Sequence, residues 1–258
     1  SKCKHFLKIW NGLNMTKLLL ESIVEIIAVS PLIYFWTNKV DSKWKHIVLF
    51  VVYYTVYKCL LFFLFFIPEL KFIKSTWNWS GKTYAVIGSL IIYSIFSKEF
   101  INYHYITFKQ NRNSLQAKFT VIIILFIFTL ILTLFSFGQS LEKFEYLLFQ
   151  FTMPGMDEEI AYRGIMLGLL SNTLRPKVYI GSFCIGSPAL LITSVLFGLV
   201  HSFGIDNDWN FYQNWFEFIN AFSIGLILGW MTIKSGSILM SILTHNLINT
   251  IPKIIFWI

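Results

Sequence analysis

Met156-Asp-Glu-Glu-Ile-Ala-Tyr-Arg-Gly164 places two adjacent carboxylates, Glu158 and Glu159, and a guanidinium, Arg163, inside an apolar run. An ionisable side chain in the middle of a bilayer helix costs about 2.5–3.5 kcal/mol on insertion scales. Three so close together need partners, water or a function. On an α-helix Glu159 and Arg163 are i and i+4, the order in which a carboxylate and a cation face each other best. Glu158 is turned about 100° away from Glu159 by the 3.6-residue period. One glutamate can therefore be held by the arginine while the other points into a cavity. A buried structural salt bridge is the alternative reading of the same residues. Both readings need a helix with apolar surroundings, and the rest of the chain says what those surroundings are.

Of 258 residues, 56% are hydrophobic, 19% aromatic and only 13% charged, and the mean hydropathy is +0.64. A soluble chain carries about a quarter charged residues. Phe 27 and Trp 9 suit lipid-facing and interfacial positions. The composition describes an all-α, polytopic membrane protein in one membrane domain. The net charge of +8 could suit nucleic acid, but the lysines lie in short loops between apolar runs. Anchoring to anionic lipid explains them better. Cys3, Cys59 and Cys184 are scattered without a C-x-x-C, so neither a disulfide framework nor a cysteine zinc site is indicated.

About eight spans are expected. A basic lead-in (Lys2, Lys4, Lys8, Trp10) precedes the first, about 17–37, which contains Pro31. There Lys17, Glu21 and Glu25 share a face and are expected to snorkel toward headgroups, with pairing to Lys58 as the alternative. Spans follow at about 46–67, 83–97 and 119–138, with Trp77 and Trp79 expected as interfacial anchors between the second and third. A fifth helix, about 146–171, holds the glutamates, and Pro154-Gly155 should loosen it just before them. The sixth covers about 178–200, the seventh about 215–233 and the eighth about 237–258. Basic loops 98–118, 175–177 and Lys234 fall on one side, and the loop 202–214, which lacks basic residues, on the other. The positive-inside rule makes the former cytoplasmic, yet eight spans then put the lysine-rich N-terminus outside. Orientation stays open.

Three late segments carry polar groups in apolar surroundings. The fifth has Glu158, Glu159 and Arg163, the sixth has Phe197-Gly-Leu-Val-His201, and the eighth has His245-Asn-Leu-Ile-Asn249. In the last two the end residues are i and i+4, so each pair lies on one face. A carboxylate, two imidazoles and an amide form an inventory that can activate water, in a polar cavity between the later helices. In one mechanism a glutamate acts as general base while histidine and asparagine donate hydrogen bonds to the oxyanion. In the other, Glu158, His201 and His245 bind zinc and leave a fourth position for the water. There is no H-E-x-x-H and no G-x-S-x-G elbow.

The ordered triple E-E-x-x-x-R, F-x-x-x-H and H-x-x-x-N, across about residues 145–251, resembles the CPBP family. This is the group of CAAX-type prenyl endopeptidases and bacteriocin-processing or bacteriocin-immunity membrane proteins, also called Abi. Residues 145–258 would form the CPBP-like catalytic helices, and residues 1–144 are transmembrane helices outside the motifs. The resemblance implies an intramembrane protease in which Glu158 activates the water with help from His201. His245 and Asn249 would stabilise the oxyanion, Glu159 and Arg163 would shape the site, and Phe197 would pack one turn before the histidine. The chain supplies no obvious additional ligand, which favours a metal-free mechanism without a cofactor over zinc.

The expected activity is cleavage of a hydrophobic or lipidated peptide within membrane lipid. Richness in Ile, Phe, Lys and Asn fits an AT-rich genome, hence a bacterial cytoplasmic membrane and a role in peptide maturation or bacteriocin self-immunity. A non-catalytic membrane partner, holding a peptide or a second membrane protein in the same cavity, is the rival. A proton-relaying transporter comes third, since no two-half inverted repeat is visible.

Overall fold

The computed structural model describes residues 15–37, 44–111, 122, 123, 127, 144–180 and 182–255. The expected fourth span, about 119–138, and the basic N-terminal lead-in lie almost wholly outside these residues. The architecture is mainly helical: α1 (Met15–Trp36), α2 (Trp44–Phe62), α3 (Trp79–Ile95), α4 (Phe144–Glu159), α5 (Leu167–Ser171), α6 (Pro188–Ser202), α7 (Trp215–Ser235) and α8 (Leu239–Ile255). Two short antiparallel hairpins interrupt it, β1 (Val178–Ile180) with β2 (Phe183–Gly186), and β3 (Phe203–Ile205) with β4 (Phe211–Gln213).

Among the described residues three helical stretches are long and apolar enough to cross a membrane: Met15–Trp36, Trp44–Phe65 and Trp215–Ser235. An all-α membrane protein stands, but the expected count of about eight spans does not. The sixth expected span is the clearest correction. Residues 178–186 fold as the β1–β2 hairpin, leaving the 15-residue α6. Gly186, at φ +105°, ends the hairpin in a conformation open to glycine, and Pro188 opens α6 where a missing N–H is harmless.

The chain forms two compact units. The first comprises Ser1–Lys71 with Met166–Ile227. Here α1 packs on α2 and α6, and the β3 strand lies against α1. The helices are inside-out by the standard of soluble proteins. Ile23 and Ile27 of α1 are 53% and 61% exposed, whereas Glu25 is 1% exposed. Lipid accounts for such an apolar exterior. Pro31 cannot supply the N–H that would bond the Ile27 carbonyl, and the Ser30 hydroxyl donates to that oxygen instead, at 2.9 Å.

The expected snorkelling of Lys17, Glu21 and Glu25 is overturned. Their shared face turns inward, because each finds a partner that only packing could supply. Glu25 Oε2 accepts from Lys58 Nζ at 2.7 Å and from the Tyr54 hydroxyl at 2.6 Å. Glu21 Oε1 accepts from the Ile205 N–H at 3.0 Å, and Lys17 Nζ donates to the Asp206 carbonyl at 2.7 Å. The loop expected over 202–214 is thus an ordered hairpin fastened to the start of α1.

The second unit comprises Phe72–Ile165 with Leu228–Ile258. In it α4 packs on α8 and α3. Trp77 stacks on Tyr146 with ring centroids 4.2 Å apart, and Trp79 meets Phe149 edge-on at 5.2 Å. Both tryptophans, expected as interfacial anchors, therefore brace the start of α4. The turn at Lys234-Ser-Gly236 forms as expected, with Gly236 at φ +69°. Tyr105 and Asn111 secure that turn through backbone bonds to Ile238 and Ser235.

Candidate active site

The glutamate-bearing segment is not the single α-helix expected over 146–171. Helix α4 ends at Glu159, residues Ile160–Met166 form a π-helical turn, and α5 follows. Such wide turns are uncommon and recur at functional sites. Pro154 and Gly155 lie within α4, directly before the carboxylates. A Cβ on Gly155 would stand 2.5 Å from Asn246 Oδ1 and 2.7 Å from the Ile242 carbonyl. Only glycine allows this approach of α4 to α8. The Gly155 N–H uses it, donating to Asn246 Oδ1 at 2.8 Å.

Glu159, wholly buried, receives two donors on one oxygen. Arg163 Nη1 reaches Oε1 at 3.1 Å from the next turn, and His245 Nδ1 lies 2.8 Å from the same atom. Because a carboxylate oxygen accepts, Nδ1 carries the hydrogen in that contact. Glu158, one residue earlier, faces elsewhere. Its Oε1 accepts from Lys82 Nζ at 2.9 Å, and its Oε2 stands 3.7 Å from His245 Nε2. The His245 ring is therefore set between the two glutamates, one nitrogen toward each. Lys82 Nζ also donates to Asp157 Oδ2 at 2.8 Å. Asp157, Glu158 and Glu159 meet the fixed cations Lys82 and Arg163.

Asn249 sits half-buried on the next turn of α8 from His245. His201 belongs to the first unit, at the end of α6, and is exposed. Its Nδ1 lies 2.7 Å from the Phe197 carbonyl oxygen, which can only accept, so Nδ1 carries the hydrogen of that contact. Phe197 is buried and its ring lies 4.4 Å from the histidine ring. The second unit thus gathers Glu158, Glu159, Arg163 and His245 around shared atoms.

Sequence reasoning missed three residues of this arrangement. Lys82 was assigned to a loop, whereas Asn78 caps α3 through its bond to the Gly81 N–H, at 3.2 Å, and places Lys82 in the first turn. A lysine at the edge of an apolar run was the available signal. Asp157 was passed over beside the two glutamates, and Asn246 beside His245. Among the described residues no group of three or more His, Cys, Asp or Glu side chains is arranged to hold a metal ion.

Residues 140–251 match the family described as Type II CAAX prenyl endopeptidase Rce1-like, a CAAX protease family. The matched stretch covers somewhat under half of the chain. An Escherichia coli protein described as an uncharacterized 24.3 kDa protein is 32% identical over 95 residues, covering 37% of this chain and 36% of the relative. The alignment thus spans about a third of that relative's length. No solved structure matches the chain.

Proposed function

From the Rce1-like match, we propose that the protein is an intramembrane endopeptidase that hydrolyses a peptide bond in a hydrophobic or lipidated peptide. One juxtaposition carries this reading: within the matched stretch, Glu158 is held at one oxygen by Lys82 and presents the other toward His245. Glu158 takes a proton from a water whose oxygen bonds to the scissile carbonyl carbon. The carbonyl π pair moves to oxygen, where Asn249 donates a hydrogen bond to the oxyanion, and His245, whose Nδ1–H is engaged by Glu159, donates from Nε2 in the doubly protonated form. On collapse the carbon–nitrogen bond breaks, and the proton held by Glu158 passes to the leaving amine. Glu159 and Arg163 orient His245 and do not themselves take the proton. A bacterial cytoplasmic membrane, and peptide maturation or bacteriocin self-immunity, are the setting this reading favours.

The test is cleavage of prenylated and unmodified hydrophobic peptides by the purified protein and by Glu158→Gln, each with and without a strong chelator. Cleavage by the wild type, lowered about 10²–10⁴-fold in the variant and unaffected by the chelator, supports the glutamate mechanism. Loss on chelation with rescue by zinc replaces it with the metal mechanism. A folded wild-type protein that cleaves none of the peptides sinks the protease reading.

A further inference from the structure

Asp157 has no part in the proposed hydrolysis, yet it is 1% exposed and directly precedes two other carboxylates. Placing a third anion there adds repulsion in surroundings where charge is costly. Lys82 explains it. The Lys82 ammonium has three N–H donors, and two are directed at Asp157 Oδ2 and Glu158 Oε1, at 2.8 and 2.9 Å. Asp157 and Glu158 are adjacent on α4 and turned about 100° apart, and a cation from another helix meets both. Helix α3 supplies that cation, and α3 lies outside the matched residues 140–251.

We infer that Lys82, anchored by Asp157, is a positioning residue that fixes the Glu158 carboxylate for attack on the substrate. This rests on the protease reading above. With Oε1 tied to Lys82, rotation of the carboxylate is restrained and Oε2 is turned to the His245 side, where it meets the water. Asp157 holds the ammonium in place, since a lysine stem is flexible and would otherwise follow either Glu158 or solvent. Among the described residues, His245 from α8 stands on the Oε2 side of Glu158, and Glu159 and Arg163 bind each other. Lys82 is the cation that reaches Oε1, at 2.9 Å. Misplacement of a reacting group by about 1 Å can cost about 10²-fold in rate, which sets the size of effect to look for.

The experiment measures kcat and KM separately for wild type, Lys82→Met, Lys82→Arg and Asp157→Asn, in detergent, with thermal unfolding of each. The expected result is a kcat lower by about 10²-fold in Lys82→Met, with KM within about threefold of wild type. Lys82→Arg, which keeps a donor cation, should recover much of the loss, and Asp157→Asn should lower kcat by a smaller factor. An unchanged kcat in Lys82→Met, while cleavage still depends on Glu158, overturns the inference and leaves the protease reading standing. A loss that Lys82→Arg does not relieve, and that follows the unfolding temperature, also overturns it, because it marks a merely structural ion pair. Where Lys82→Met does not fold, Asp157→Asn decides, a lowered kcat at unchanged KM supporting the inference and an unchanged kcat refuting it. Absence of any Glu158-dependent cleavage by the wild type removes both proposals together.

Discussion

Each unit buries a cluster of charges, and the two clusters use nearly the same side chains to different ends. In the first unit Glu25 is met by Lys58 at 2.7 Å and by the Tyr54 hydroxyl at 2.6 Å, with the two charged side chains 1% and 3% exposed. The Glu25 carboxylate is met directly by an ammonium and a phenol, and Glu21 also lies in the field of Lys58. In the second unit three carboxylates converge on two fixed cations and a histidine, and the side chains of Lys82 and Glu158 keep 12% and 14% of their surface. A paired, sealed charge is what packing two membrane helices requires. A charge cluster that keeps access to its surroundings is a poorer way to hold helices together, and a better way to present a base.

The largest effects separate the two clusters. Glu158→Gln should lose most cleavage while unfolding at nearly the wild-type temperature. Glu25→Ala should do the reverse, because it strands Lys58 without its counter-ion at a cost of about 3–5 kcal/mol. Thermal unfolding in detergent reads that loss. Replacing the pair together, as Glu25→Leu with Lys58→Met, should restore most of the stability, as sealed pairs often can be exchanged for apolar packing. Failure of the double variant to recover would show that the first cluster, too, does more than hold helices.

A smaller effect tests the floor of the second cluster. Gly155→Ala puts a methyl group 2.7 Å from the Ile242 backbone carbonyl, which cannot swing aside. Overpacking of this kind costs about 1–3 kcal/mol. Because α8 must retreat, His245 should move with it, so stability and kcat should fall together. Measuring both in one preparation distinguishes this from Glu158→Gln, in which only kcat falls.

The smallest effect lies at the β3–β4 hairpin of the first unit. Asp206 accepts from the Asn210 and Asp208 N–H groups, both at 2.9 Å, and the bond from Asn210 is the chief cause holding its carboxyl below the usual range. A carboxyl depressed in the folded chain contributes stability above its unfolded value, about 3.9. That contribution is lost as pH falls through the folded value. Trp209 fluorescence should therefore report loosening of the hairpin only on the acid side of about pH 4, and Asp206→Asn should remove that transition.

Much of the candidate site was legible because it is local. Glu159 and Arg163 are one turn apart, so their pairing follows from spacing alone, as does the divergence of Glu158 from Glu159. The π-helical turn after them left no mark that periodicity could read. Residues 178–200 were taken as one span because hydropathy averages across Gly186 and Pro188, although both residues interrupt a helix on physical grounds. Lys17 and Glu21 were placed with the headgroups because their partners are backbone groups of residues 205 and 206, far away in the chain. A charged face near a helix end reads the same whether it meets water or protein.

The sequence by itself determined that this chain lives in a membrane, that it is built from helices, and that its late segments concentrate carboxylates, imidazoles and amides. Composition and short-range spacing are enough for that, since burial in lipid and the 3.6-residue period act residue by residue. Only the tertiary structure decided which charges close on each other and which stay accessible. Lys58 reaches Glu25, Lys82 reaches Asp157 and Glu158, and the Gly155 N–H reaches Asn246, each across a helix interface. Such contacts depend on how neighbouring helices are set against each other, and no local pattern encodes that.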